Sequence, residues 1–252
     1  MKRHEMIGIK QAVRPEWMEK ICEMLLAGQT EKEIRAELKD YLSERMGRGA
    51  IEKRSETARD FAVGILMRTW AGPDTVLIPL RNEGLVRIQH ASEGERLAIH
   101  HCMISAAYPF WYTVSGQIGI LLRLQDTVTI QQIVQRTKEI YGDRQTVERN
   151  TKFVVRSLFY WGFLDETDTP GCYQKSNPIL ISSEEIRRWM IEAQLHAIPE
   201  GRANLSALQA DLTLFPFIIP HVSGITVTRN NERIDLMQNG LSDELLMLKS
   251  MI

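Results

Sequence analysis

The sequence predicts a mainly α protein in three parts: an N-terminal helical unit (1–91), a helical core (92–200) and a small C-terminal α/β extension containing a β-hairpin (201–252). Three observations carry this. Apolar residues recur at helical spacing behind Ser or Thr caps over most of the chain. Residues 117–176 change from that pattern to helix, short strand, helix, glycine, helix and hairpin. The last residues alternate in hydrophobicity, the period of a strand.

In order, Pro15 suits the first turn of a helix in which Trp17, Ile21, Met24 and Leu25 face inward until Gly28. Thr30 and Glu33 form a capping box for a helix from Glu31 to about Arg45. The stretch RMGRGAIEKR reads as a basic link. Ser55 caps a third helix through Trp70, with Phe61, Ile65 and Leu66 inward. Residues 72–91 are mixed and give no clear element. Ser92 and Glu95 make a second capping box, opening a helix to Ala107, and another helix runs from about Trp111 to Leu124. Beyond the central segment, ISSEEIRRWMIEAQLHAI is a helix capped by Ser182 or Ser183. Asn230–Asn231, between ITVT and RIDLM, suits a tight hairpin turn because Asn tolerates positive φ.

A 44% hydrophobic content is enough to build a core, and a net charge of −1 excludes a chain that coats nucleic acid with its whole surface. The 3 cysteines lie far apart without metal-ligand spacing, so neither a disulfide framework nor a zinc site is expected. The N-terminus lacks the apolar core of a secretory signal, which with reduced thiols fits a cytoplasmic protein. Cys102–Leu122 carries no formal charge and approaches the length of a membrane span. Pro109 and the polar and glycine positions Ser105, Ser115, Gly116, Gln117 and Gly119 argue for a buried pair of helices instead.

Within 117–176, QIGILLRL is a first helix, and Thr127-Val128 is extended. Thr129 starts a second helix with Ile130, Ile133, Val134 and Ile140 on its apolar side. Gly142 ends it, and Asp143 is placed to cap a third helix, Arg144 to Tyr160. On that helix Val147, Thr151, Val154, Leu158 and Phe159 face inward, while Gln145, Arg149, Lys152 and Arg156 form a stripe elsewhere, flanked by Arg144 and Asn150. Gly162, Phe163-Leu164, DETDTPG and CYQKS complete the pattern as a hairpin. This is the order of a winged helix–turn–helix. Arg and Gln can read base edges in a major groove and Lys can neutralise phosphate, so the stripe predicts contact with double-stranded DNA. Arg45, Arg48, Lys53 and Arg54 of the basic link are candidate outlying phosphate contacts. The hairpin tip is acidic at Asp165, Glu166 and Asp168, with Lys175 its one basic residue, so it is expected to contribute little. Trp161, with Phe159 and Tyr160, is expected to seal the core and not to stack on bases.

Catalytic signatures are missing. His100-His101 are adjacent on a helix and diverge too far to chelate one ion, and His90 with Glu93 or Glu95 makes no HExxH. There is no phosphate-binding glycine loop, no nucleophile elbow and no PD-(D/E)xK pattern among the scattered Asp211, Asp235 and Asp243. A non-enzymatic protein without metal or small-molecule cofactor is expected. Two other classes fit the same residues. A scaffold would dock a partner protein through the winged helix, with LFPFIIPHV a further apolar patch. A transcriptional regulator would need a dimer, for which no coiled-coil helix is evident.

The helix ending in LLAGQTEKEIRAEL, followed by the helix SETARDFAVGIL, resembles the small accessory protein A of BREX phage-defence systems. The resemblance covers roughly residues 15–190 in element order and character rather than in runs of identity. It implies a helical core, DNA binding without catalysis, and service beside other protein subunits in an antiviral defence system.

Overall fold

The computed structural model describes residues 3–44, 55–239 and 243–249. It is mainly helical, with small sheets. The N-terminal unit holds α1 (Pro15–Leu26), α2 (Glu31–Ser43) and α3 (Glu56–Leu66), which widens into a π-turn at Met67–Ala71, then α4 (Ile78–Ile88). Pro15 opens α1, and both halves of the Thr30–Glu33 capping box are formed, with Thr30 N donating to Glu33 Oε2 at 2.8 Å. Phe61 was expected inside but is 38% exposed, with the Lys10 ammonium over its ring. The mixed 72–91 stretch contains α4, whose inward residues Leu80, Gly84 and Ile88 include a glycine that lets Trp189 and Trp70 close over it.

α5 (Glu93–Ala107) and α6 (Pro109–Leu124) are the centre of the molecule. Ala98–Ile99 and His101–Ala107 are buried, as are Phe110, Trp111, Val114 and Ile118, which accounts for the uncharged run. No helix among the described residues is long and apolar enough to cross a membrane. All five tryptophans are buried. One continuous apolar core runs from Ile9 on the N-terminal segment to Phe215. α6 docks closely on a 3₁₀ turn at Leu212–Leu214, and Gly119 makes this possible, because a Cβ there would lie 1.9 Å from the Leu212 carbonyl oxygen.

Glu95 joins two helix N-termini. Its Oε2 accepts from Ser92 N at 3.2 Å and from Ser92 Oγ at 3.0 Å, closing the α5 capping box. Its Oε1 accepts from Ser183 N at 2.9 Å, at the start of α9 (Glu184–Ala197), whose own cap is Ser183. Burial alone would raise this carboxyl, and the convergent donors instead hold it below the usual carboxylate range. Glu95→Ala strands backbone N–H groups at both helix starts, so a loss of about 2–3 kcal/mol is expected in urea unfolding. A loss under ~0.5 kcal/mol would mean that water replaces the carboxylate at no cost.

Between α6 and α9 lie β1 (Thr127–Thr129), α7 (Ile130–Tyr141), α8 (Gln145–Tyr160), β2 (Leu164–Glu166), β3 (Cys172–Lys175) and β4 (Ile179–Leu180). β3 is central in an antiparallel sheet of order β1-β3-β2, with Val128 opposite Tyr173 and Asp165 opposite Gln174. After α9 come β5 (Arg202–Asn204), α10 (Leu205–Gln209), β6 (Phe217–Ile218), α11 (Gly224–Thr228), β7 (Ile234–Asn239) and β8 (Asp243–Leu248). β6 pairs in parallel with β4, and β5-β8-β7 form an antiparallel sheet over a small second cluster of Ile191, Leu195, Leu205, Leu208, Val222, Val227, Ile234 and Leu246. A hairpin is present, but not at the expected turn. Asn230 does take positive φ (58°), yet ITVT belongs to α11, capped by Ser223, and the hairpin is β7–β8.

The C-terminal part is tied to α9 and α4 by a charge cluster. Glu192, 1% exposed, accepts from Arg233 Nε at 2.7 Å, Arg233 Nη2 at 3.0 Å and Asn231 Nδ2 at 2.6 Å. Arg233 Nη2 also reaches Glu83 of α4 at 2.5 Å. Burial by itself raises the Glu192 carboxyl; His196 at 3.8 Å, Arg233 and Asn231 more than reverse that and bring it down to about 2.

Candidate nucleic-acid interface

α7 and α8 meet at Gly142, whose φ of 86° turns the chain sharply. Thr129 caps α7 in a third capping box with Gln132. Asp143 was expected to cap α8, but Arg144 occupies that position without a side-chain cap bond, and Asp143 instead pairs with Lys138 at 2.9 Å. Ile133 and Val134 are buried as expected, whereas Ile140, two turns beyond Ile133 on the same side of α7, is 53% exposed at the end of the helix. In α8, Val147, Thr151, Val154, Val155 and Leu158 are buried and fix which side of the helix faces out.

That outward side carries the expected stripe. Arg144, Gln145, Arg149 and Lys152 are exposed and Arg156 is half-buried. Their charges are not equally available. Lys152 Nζ lies 2.7 Å from Glu148 Oε1, and Lys138 Nζ lies 3.1 Å from Glu148 Oε2, so one carboxylate holds two ammonium groups. Arg144 Nη2 donates to Tyr141 O at 2.8 Å. Arg156 Nη1 lies 3.5 Å from the Tyr160 hydroxyl, with its guanidinium 5.9 Å from that ring's centroid. Gln145 and Arg149 have no partner among the described residues. Arg149 is therefore the centre of the stripe and the cation most open to a ligand.

Asn150 belongs elsewhere. It is fully buried and donates through Nδ2 to the Ile7 carbonyl at 2.9 Å, so its amide is committed inside the protein and cannot touch DNA. Arg45, Arg48, Lys53 and Arg54 lie outside the described residues. The hairpin is acidic and exposed at Asp165, Glu166 and Asp168, and Glu166 Oε1 accepts from Gly171 N at 3.0 Å, bracing the tip. Trp161 is core, 3% exposed, and donates to Val13 O at 3.0 Å. One cation that sequence spacing did not reach joins this face: Arg14, whose guanidinium lies 4.2 Å from the Tyr160 ring centroid. Its local sequence carries no signal, because the contact is made across the fold.

The buried histidines are built into the core. His101 Nε2 lies 3.0 Å from Thr213 O, and Trp111 Nε1 donates to His101 Nδ1. These partners assign a neutral ring with its proton on Nε2, in keeping with burial, which lowers it to about 4 against the Thr213 bond. His100 lies between the edges of Trp70 and Trp161, 3.4 Å from Glu19 Oε1. Cys22 and Cys102 are buried, and desolvation pushes both thiols well up, away from the reactive thiolate. Among the described residues no group of three or more His, Cys, Asp or Glu is arranged to hold a metal ion. A cleft of about 470 Å³ beside α4 and α9 is lined by Glu83, Arg87, Arg188, Glu192 and Asn231, whose polar groups are largely spent on protein partners.

Comparison of the chain with protein-family models, with curated protein sequences and with solved structures finds no match.

Proposed function

We propose that residues 117–176 form a winged helix–turn–helix and that the chain binds double-stranded DNA, with α8 as the helix that enters the major groove. On this reading it is a non-enzymatic DNA-binding component of an antiphage defence or DNA-processing complex, working beside other protein subunits. The observation that carries the reading is the face of α8: Gln145, Arg149, Lys152 and Arg156 lie outward, opposite a buried side built on Val147, Val154, Val155 and Leu158. The element order α6, β1, α7, α8, β2, β3 with sheet order β1-β3-β2 supports it, since such a domain presents its third helix free of the sheet. The likeness of residues 15–190 to the accessory protein of BREX systems supports the defence setting.

The test is binding of the purified chain to a fluorescent duplex across a salt series, beside Arg149→Glu/Lys152→Glu. The native chain is expected to bind with affinity falling steeply as salt rises, and the double variant to lose roughly two orders of magnitude at moderate salt while melting normally. Equal binding by the variant sinks the assignment of α8.

A second reading has its own observation. Glu148 and Asp143 already neutralise Lys138 and Lys152, and the hairpin is acidic, so the same face can dock a protein with mixed charge. Absence of duplex binding by the native chain at low salt favours that reading.

A further inference from the structure

The segment ahead of α1 lies along one flank of α8. Asn150 Nδ2 donates to Ile7 O at 2.9 Å, Val13 N donates to Ser157 Oγ at 2.9 Å, and Trp161 Nε1 donates to Val13 O at 3.0 Å. Ile9 and Val13 are 0% exposed beneath these bonds. Two side chains of α8 and that of Trp161, just past its end, thus hold the backbone of residues 7–13 as a strap, and the residue that follows is Arg14.

Arg14 is placed with Arg156 on one ring. Their guanidinium carbons lie 4.2 Å and 5.9 Å from the Tyr160 centroid, and Arg156 also reaches the Tyr160 hydroxyl. Among the described residues Arg14 has one ion-pair partner, Glu16, at 3.8 Å; its side chain is 36% exposed and that of Glu16 51%. Such an exposed pair holds its charges loosely. Arg156 feels Glu166 at longer range. The cations are therefore ordered by an aromatic platform and not spent on a carboxylate, which lowers the entropy lost when they take a ligand.

Length decides which ligand atoms they meet. From Gln145 to Arg156 the stripe spans roughly 16 Å at the rise of an α-helix, longer than the ~12 Å width of a major groove. With Arg149 at the bases, the two ends of the stripe fall on the flanking backbones. Arg144 lies at one end, Arg156 and Arg14 at the other. We propose that Arg14 and Arg156, seated on Tyr160, form a paired phosphate contact for one backbone strand of duplex DNA, with the N-terminal strap as its mount. The proposal rests on the DNA-binding reading of α8 and adds to it a residue from a distant part of the chain.

The test is the salt dependence of duplex binding by the full chain. Arg14→Gln is expected to lower the slope of log affinity against log salt by about one unit, and to weaken every duplex sequence by the same factor. Lys10→Gln, on the same strap but against Phe61, leaves the slope unchanged. Glu16→Gln tightens binding in the native background and has no effect in Arg14→Gln, since its carboxylate acts through Arg14. A native slope in Arg14→Gln while Arg149→Gln loses affinity overturns this proposal and leaves the α8 reading intact. If Arg14→Gln melts abnormally, the Glu16 variant decides: no tightening on any duplex overturns the proposal. Absence of binding by the native chain overturns both.

Discussion

Arg233→Met is expected to cost the chain about 3–5 kcal/mol near neutral pH, because it leaves Glu192 charged and buried without its cation. Glu192 is 1% exposed and takes both of its Arg233 bonds at 2.7 and 3.0 Å. The pH dependence separates this from a loss of packing. In the native chain the Glu192 carboxyl sits at about 2 against an ordinary 4.5. A depressed carboxyl stabilises fully above the ordinary value, and that stability, about 3 kcal/mol, is lost as pH falls from there through 2. In the variant, burial dominates and raises the same carboxyl, so acid neutralises the stranded charge. The gap between native and variant unfolding energies should therefore be widest near pH 7 and narrow steadily toward pH 4. A gap that stays constant with pH would assign the loss to the Arg233 stem and not to its charge. Glu192→Leu/Arg233→Met, which removes both charges, should recover most of the loss.

Gly119→Ala is the second large effect. The added methyl would meet the Leu212 carbonyl oxygen at 1.9 Å, its carbon at 2.8 Å and the Leu212 Cβ at 3.0 Å. Two of these are backbone atoms, so the 3₁₀ turn must move bodily. That turn supplies the Thr213 carbonyl to His101, and the preceding Asp211 accepts from Tyr112 and from Gln194 Nε2. A loss of about 2–4 kcal/mol is expected from this overpacking. The imidazole gives a separate readout. With its pocket opened, the His101 ring should titrate above about 4, toward its ordinary range, as seen by NMR. Gly64→Ala in α3 is the control: nothing lies within 4 Å of its Cβ, so it should be neutral or stabilising by up to about 1 kcal/mol. Equal stability of the two alanine variants would refute the close docking of α6.

Much of this architecture is legible because caps are local. Thr30 with Glu33, Ser92 with Glu95, Ser55 and Ser183 each act within three residues of a helix start, and all four do so here. The apolar side of α8 is legible for the same reason, and with it the outward stripe. What escapes is decided at long range. Asn150 follows Arg149 in sequence but lies about 100° round the helix, on the side of Val147 and Val154, where its amide meets the Ile7 carbonyl. α4 is hidden because Gly84 and Pro79 weaken its helical signal, while Trp189 from α9 supplies the packing that a larger side chain would have given. Asn230 announces a positive φ but not which strands flank it, and Ser223 converts the expected strand into a helix. Arg14 carries no local mark of the Tyr160 ring it lies against.

The strap has a consequence for the order in which the molecule can be made. Residues 7–13 leave the ribosome well ahead of their hydrogen-bonding partners Asn150, Ser157 and Trp161. At roughly 5–20 residues per second, that is a wait on the order of ten seconds, during which Ile9 and Val13 have no finished surface to bury against. α2 and α3 can form their caps meanwhile, since those bonds are local. Residues 7–13 therefore emerge as a loose apolar thread, and the cell meets that thread before α8 exists to receive it.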